Sequence, residues 1–105
     1  MFNEHTNKAV TDLINLEYDL AVKQYGKTYE NHEQADDVLT EEVKEAWSEG
    51  AMLQASFSDW KRNDIYERAQ DVYKYAFQTI KELAQVAAVA RKIMSGYERK
   101  QEAAK

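Results

Sequence analysis

A chain of 105 residues is the size of one domain. Its composition favours helix throughout, because it has no proline, only three glycines and many Ala, Glu, Lys and Gln residues. The absence of cysteine excludes disulfides, thiolate metal sites and cysteine nucleophiles. A formal net charge of −5 argues against a nucleic-acid polymer as partner, because affinity for its backbone comes from clustered Lys and Arg. We therefore expect a single all-α domain over residues 1–105.

The hydropathy of the chain gives no sign of a membrane partner. The longest unbroken apolar run is Val86 to Ala90, whereas a transmembrane helix needs about 20 predominantly apolar residues. The first residues contain no apolar run that could act as a signal peptide. These features predict a cytoplasmic protein.

The first predicted helix covers Asn3 to Tyr25, where apolar residues recur at steps of three and four, and Gly26 follows at a typical helix C-terminus. Glu17 lies in the centre of its apolar stripe, between Leu13 and Leu20. Two interpretations of Glu17 are open. It forms an ion pair with a Lys or Arg of another helix, or it faces a polar, substrate-binding pocket that it shares with carboxylates further along the chain.

The second predicted helix begins at Asn31, which has the spacing of an N-cap with an amide side chain, Gln34, three residues later. Apolar residues at helical spacing continue through Gly50 into the mid-fifties. The polar, mixed residues from Ser56 to Asn63 predict a turn.

The third predicted helix begins near Asp64, which has capping-box spacing to Glu67, and its apolar positions alternate at steps of four and three from Ile65 to Tyr97. One such helix would be on the order of 50 Å long, beyond the reach of a compact domain of this size. Either it breaks near Gln78 and Thr79 into two antiparallel helices, or it stays whole and buries its excess face on another subunit. No Gly or Pro marks a break, so we expect an antiparallel bundle of three to four helices with a long C-terminal helix, which dimerises into a larger bundle.

Three carboxylates stand close together in the second helix, at Glu41, Glu42 and Glu45. At 100° per residue Glu42 lies on the apolar face, beside Val38 and Ala46, and Glu45 borders that face one turn along. Two like charges about 5 to 6 Å apart oppose each other by roughly 3 kcal/mol at an effective dielectric constant of about 20. The cluster therefore indicates a bound cation.

A second polar pair, Glu82 and Gln85, lies in the third helix beside small apolar residues that allow close helix packing. If this pair faces the carboxylates of the second helix, it completes a cage of oxygen ligands, which select a hard cation such as Mg²⁺ or Mn²⁺. The alternative is that Glu82 only pairs with a nearby cation such as Lys81 or Lys92.

Four runs of the sequence, Gln24–Gly26, Asn31–Ala35, Val38–Glu45 and Glu82–Ala90, resemble the MazG-like members of the all-α nucleoside triphosphate pyrophosphohydrolases. In that family an EExxE helix and a later ExxD helix hold Mg²⁺. The resemblance covers most of residues 10 to 95. It implies Mg²⁺-dependent hydrolysis of a nucleoside triphosphate to the monophosphate and pyrophosphate.

The resemblance also assigns roles to residues. Glu42, Glu45, Glu82 and Gln85 would be the metal ligands, although Gln85 stands where the family has Asp and brings no charge. Glu41 matches the remaining acidic position.

Catalysis in similar enzymes implies that a carboxylate, Glu41 or Glu45, accepts a proton from the attacking water. Lys92 lies on the Gln85 side of the third helix, where it would contact a phosphate of the substrate. As an alternative, Lys92 is an ordinary solvated lysine.

Three functions follow from these observations, and we favour the first, a pyrophosphohydrolase. The second is a helical binding or structural relative that has lost its chemistry, which the amide of Gln85 suggests. The third is a helical dimer that acts as an interaction module without a metal, and it requires Glu42 to be exposed.

Overall fold

The chain folds into three helices in the computed structural model, which describes residues 3–57 and 65–104. They are α1 (Glu4–Tyr25), α2 (His32–Phe57) and α3 (Ile65–Ala104). No strand occurs among these residues, which confirms the all-α class. The long C-terminal helix is also present, since α3 continues without a break through Gln78 and Thr79.

Some predicted features differ from the structure or lie outside the described residues. The turn was expected from Ser56, but Ser56 still belongs to α2, and its hydroxyl donates a hydrogen bond to the Leu53 carbonyl at 2.8 Å. The rest of the predicted turn and the N-cap at Asp64 lie outside the described residues. No helix in the described part of the chain is both long and apolar enough to cross a membrane.

The N-termini of α1 and α2 are fixed by asparagine caps. The Asn3 side chain accepts a hydrogen bond from the Thr6 N–H at 2.9 Å. The Asn31 side chain accepts one from the Gln34 N–H at 2.7 Å, and the Gln34 side chain accepts one from the Glu30 N–H at 2.6 Å. The predicted cap at Asn31 is thus confirmed, because these bonds satisfy amide groups that a helix start leaves unpaired.

The central element is α3, since both other helices pack on it. Within 8 Å between Cα atoms, α1 and α2 each contact α3 but not each other in the described residues. Arg91 of α3 fixes α1, because its guanidinium donates a hydrogen bond to the Asn15 side chain and lies 4.2 Å from the centroid of the Tyr18 ring. An open space between α1 and α2 remains, with α3 as its floor.

The apolar core of the described residues consists of small side chains only, namely Ala46, Ala84, Ala88 and Val89. Of the large apolar residues on the predicted faces, some are half-buried, such as Leu13 and Leu39, and others are exposed, among them Val10 and Leu83. The radius of gyration is 17.4 Å, compared with about 13 Å for a compact domain of this length. The difference arises because α3 spans about 60 Å and sets the longest dimension, 62 Å.

The C-terminus of α1 depends on Gly26. Its φ of 86° and ψ of 176° lie in a region that is essentially open to glycine alone, and its N–H donates to the Val22 carbonyl at 2.8 Å. This backbone conformation turns the chain from α1 into the connector that leads to α2.

We predict that Gly26→Ala lowers the free energy of unfolding by about 1–3 kcal/mol, because a Cβ atom strains this backbone conformation. Urea denaturation at a fixed protein concentration measures the change. Gly96→Ala is the matched control: Gly96 is helical, and a Cβ there would lie 3.6 Å from the Thr28 methyl group, an ordinary contact. This control should be stabilised by about 0.5–1 kcal/mol. Equal effects of the two substitutions would contradict the prediction.

Candidate metal centre and adjoining cleft

Three carboxylates from two helices meet where α2 packs on α3. Glu42 and Glu45 come from adjacent turns of α2, and Glu82 comes from α3. One oxygen from each lies within 4.8 Å of the others. Glu42 and Glu82 are partly buried and Glu45 is exposed. We call these three residues the carboxylate cluster.

The electrostatics of the cluster are unfavourable in the absence of a cation. Burial raises the pKa of Glu42, and the negative charges of Glu45, Glu82, Glu41 and Glu17 raise it further. Burial also raises the pKa of Glu82, and the charges of Glu45 and Glu49 and a hydrogen bond with Glu45 add to that shift. Both shifts favour the protonated, neutral form, and a bound cation would oppose them by offsetting the negative charge.

Two oxygens of the cluster have the surroundings that are expected of cation ligands. The Oε2 atoms of Glu42 and Glu82 are buried and have no hydrogen-bond partner among the described residues. A buried carboxylate oxygen without a partner is unfavourable by several kcal/mol unless a cation or a proton compensates it. Adjacent oxygen ligands of octahedral Mg²⁺ lie about 3 Å apart and opposite ones about 4.2 Å apart, so the carboxylate oxygens, which lie within 4.8 Å of one another, would have to move closer together to coordinate it. The donor set is all oxygen, which suits Mg²⁺ or Mn²⁺.

An open cleft of about 1080 Å³ adjoins the cluster and lies between α1 and α2. Glu42 belongs both to the cluster and to the wall of this cleft. Apolar side chains of all three helices line part of it, including Leu20, Val38 and Val89. The volume matches that of sites for drug-sized ligands, and the apolar wall beside charged groups is typical of them.

The charge of the cleft is strongly negative. Among the described residues, five carboxylates line it and one cationic side chain does, that of Lys23 at the C-terminal end of α1. The carboxylates are Glu17, Glu30, Asp37, Glu41 and Glu42. A free polyphosphate would be repelled from such a surface, so an anionic ligand enters it favourably only together with cations.

The structure brings most of the predicted site residues to this region. Glu17, Glu41 and Gln85 all line the cleft, and Glu45 and Glu82 complete the cluster beside it. Glu17 is close enough to raise the pKa of Glu42 by its charge, which favours the shared-pocket interpretation of Glu17 over a remote ion pair.

The environment of Lys92 contradicts one of its two interpretations, that of a solvated lysine. It is only 1% exposed, so it is not a solvated lysine, and it is not among the residues that line the cleft. Its Nζ lies 3.9 Å from the centroid of the Tyr29 ring, a cation–π contact. Burial lowers the pKa of Lys92. Contact of Lys92 with a phosphate remains a prediction.

Sequence reasoning missed Tyr29 and Lys23 as cleft residues. Tyr29 lies in the connector between α1 and α2, and its pKa is raised by burial and by the charge of Glu42. The connector carried no helical periodicity, so nothing in the sequence indicated which way its side chains point. Lys23 lies in the last turn of α1, where a cation is favourable for the helix dipole whether or not it lines a cleft.

Comparison of the chain with family models, with curated proteins and with solved structures finds no match. The resemblance to the MazG-like enzymes thus rests on the motifs alone, and the functional argument rests on the geometry of the cluster and the cleft.

We predict that Glu82→Gln raises the free energy of unfolding in the presence of EDTA, by on the order of 1 kcal/mol, because it removes one of the facing charges. With excess Mg²⁺ the wild type should be the more stable of the two proteins, because it binds the cation and the variant has lost a ligand for it. Urea denaturation in both buffers measures this, with Glu98→Gln on the exposed end of α3 as control.

The pH dependence of the free energy of unfolding, measured in EDTA, also reports on repulsion within the carboxylate cluster. Folding raises the pKa values of Glu42 and Glu82 above their ordinary value of 4.5, so protonation of these groups favours the folded state. Their contribution to the free energy of unfolding is therefore greatest below pH 4.5. Their contribution is lost as the pH rises through the raised values. The wild type should therefore lose more stability than Glu82→Gln between pH 4.5 and neutrality, and equal slopes would exclude repulsion in the cluster.

Proposed function

We propose that this protein is a Mg²⁺-dependent nucleoside triphosphate pyrophosphohydrolase, which converts the triphosphate into the monophosphate and pyrophosphate. The observation that carries the proposal is the carboxylate cluster, whose two buried oxygens lack partners in the described residues, at the wall of a cleft large enough for a nucleotide. The resemblance of the EExxE and ExxQ motifs supplies the reaction.

In this proposal Glu42, Glu45 and Glu82 hold Mg²⁺, or Mn²⁺, and Gln85 adds a neutral amide oxygen from the cleft side. Bound Mg²⁺ would neutralise phosphate charge and lower the pKa of a coordinated water. The negative charge of the cleft then favours a nucleotide that arrives with its cation over one that arrives alone.

Glu41 is the better placed of the two candidate bases. It lines the cleft and lies outside the carboxylate cluster, so it is free to accept a proton from the attacking water. Glu45, by contrast, is engaged with Glu82 in the cluster. Glu17 faces the same cleft from α1, where its carboxylate would attract the cation that accompanies the substrate.

The substrate would lie with its base against the apolar part of the cleft and its phosphates toward Glu42. Lys92 could approach a phosphate only if the Tyr29 ring moved, because that ring contacts its ammonium group. We also propose that the active form is a homodimer that completes a larger helical bundle, as the extended shape of the single chain suggests.

A catalytically degenerate relative, which binds through the same helices without chemistry, is the second candidate. Gln85 favours it, because an amide at the fourth ligand position brings no charge and weakens the affinity for a divalent cation. The two candidates differ in turnover in the presence of the metal and in their affinity for Mg²⁺.

Incubation of the purified chain with canonical and modified nucleoside triphosphates, in Mg²⁺ or Mn²⁺, should release pyrophosphate. Glu42→Gln should lower the rate by at least the roughly 10–100-fold that loss of a supporting group near a metal produces. Glu98→Gln should leave it unchanged. Absence of pyrophosphate from every nucleotide, with the protein folded, would rule out the hydrolase.

Gln85→Asp separates the two candidates. In an active enzyme it should tighten Mg²⁺ binding, measured by calorimetry, because it adds a charged ligand. If the wild type neither binds Mg²⁺ nor turns over substrate while Gln85→Asp does both, the degenerate relative is the correct description.

A further inference from the structure

The wall that α2 contributes to the cleft extends well beyond the carboxylate cluster. Gln34 and Asp37 line the cleft on α2, as does Glu42, which is also part of the cluster. At 1.5 Å per residue, Gln34 and Asp37 lie about 12 and 8 Å from Glu42 along the helix axis. A nucleotide spans a comparable distance from the edge of its base to its first phosphate. With the phosphates at Glu42, the edge of the base would therefore reach Gln34 and Asp37.

The amide side chain of Gln34 is oriented by the connector between α1 and α2. Its oxygen accepts the hydrogen bond from the Glu30 N–H at 2.6 Å. A backbone N–H can only donate, so the oxygen is the atom turned to the connector, and the NH₂ group is the part of the amide that can bind a ligand. The backbone of Gln34 is fixed as well, because its N–H donates to the Asn31 side chain at 2.7 Å. Gln34 therefore offers the cleft a hydrogen-bond donor in a defined place.

Hydrogen-bond acceptors lie beside this donor. Asp37 follows Gln34 by three residues, which places their Cβ atoms about 5 to 6 Å apart on the same side of the helix. A carboxylate only accepts hydrogen bonds. Glu30 lines the cleft from the connector and adds a second carboxylate next to Gln34. This part of the cleft is thus complementary to a base edge on which one acceptor stands beside several N–H donors.

Guanine has that pattern on its Watson–Crick edge. Its O6 is an acceptor, and the N1–H and the 2-amino group beside it point the same way as two parallel donors. A pair of parallel N–H groups binds a carboxylate through both of its oxygens, which is the strongest arrangement for such a contact. Adenine, cytosine, uracil and thymine offer a carboxylate only one N–H on the same edge.

We propose that the cleft selects a guanine nucleotide, with Asp37 accepting hydrogen bonds from N1–H and the 2-amino group and Gln34 donating one to O6. This inference rests on the proposed nucleotide-binding role of the cleft. The apolar side chains of Val38 and Leu20 line the cleft as well and would cover the ring of the base. Asp37 and Gln34 lie outside the carboxylate cluster, so base selection can be altered separately from metal binding.

Calorimetry with the Mg²⁺ complexes of α,β-methylene nucleoside triphosphates tests the proposal, because the methylene bridge prevents cleavage during the titration. The guanine analogue should bind roughly 5- to 150-fold more tightly than the hypoxanthine analogue, which lacks only the 2-amino group. The adenine analogue should also bind more weakly than the guanine analogue. Equal affinities for guanine and hypoxanthine would overturn the proposal.

Asp37→Asn should change the preferred base. The new amide keeps an acceptor for N1–H and places a donor where the 2-amino group of guanine also donates, so guanine should bind less tightly. Xanthine carries a carbonyl at that position, and its analogue should bind the variant more tightly than it binds the wild type. A gain of affinity of this kind cannot come from a folding defect.

Asp36→Asn is the matched control. Asp36 is exposed and does not line the cleft, and its substitution removes the same charge one residue away. The ratio of guanine to xanthine affinity should stay at its wild-type value in this variant. An equal shift of that ratio in both variants would show that charge alone is responsible, which contradicts a contact between Asp37 and the base.

Gln34→Glu tests the donor. The new carboxylate keeps an oxygen for the Glu30 N–H and loses the NH₂ group that faces O6. The ratio of guanine to adenine affinity should fall, because adenine carries an amino group in place of O6. An unchanged ratio would contradict the role of Gln34.

Pyrophosphate release from the natural nucleotides, measured separately, distinguishes this inference from the proposed function. Guanine-selective binding without turnover would support base selection by Asp37 and rule out the hydrolase. Turnover with no preference among the bases would support the hydrolase and overturn the selection of guanine.

Discussion

The repulsion among carboxylates across the contact between α2 and α3 is the constraint on which the rest of the structure depends. Glu42 and Glu82 lie on the faces through which the two helices pack, so their charges oppose the same contact that the buried alanines favour. Surface glutamates would avoid each other by rotation into solvent. These two cannot do so fully, because each has a buried oxygen. A cation bound here would be coordinated by carboxylates of both helices, so it would replace their repulsion with an attraction that links α2 to α3.

The small residues of α3 determine how closely the carboxylates are brought together. Ala84 and Ala88 are buried and allow α2 and α1 to approach the α3 backbone closely. Their size also limits the apolar area that a single chain removes from water, so the packing of one chain is weak. The same choice of residues that permits a close carboxylate cluster thus leaves large side chains such as Trp47 and Leu83 without cover in the single chain.

The sequence predicts local structure better than it predicts which faces meet. The cap at Asn31 depends on neighbours three residues away, and hydrogen bonds confirm it. The unbroken course of α3 through Gln78 and Thr79 follows from the absence of Gly and Pro there. Periodicity alone, however, does not distinguish a face that packs within the chain from one that remains exposed, and Leu83 belongs to the second kind. The sequence also did not indicate that Lys92 is buried. The contact of its ammonium group with the Tyr29 ring depends on where the connector places that ring.

The carboxylate cluster and an apolar groove lined by Trp47 and Leu83 depend on one structural feature, the pairing of α2 with α3. The cluster takes ligands from both helices, and the groove takes its walls from both. A bound cation would favour that pairing by offsetting the charges of Glu42 and Glu82, and a second copy that covered Leu83 together with Trp47 would favour it as well. Two ligands that stabilise the same state of a protein favour each other's binding by equal factors. If the cluster binds a cation and a second copy covers this groove, the dimer is tighter with the metal than without it, and the metal binds more tightly to the dimer than to the single chain.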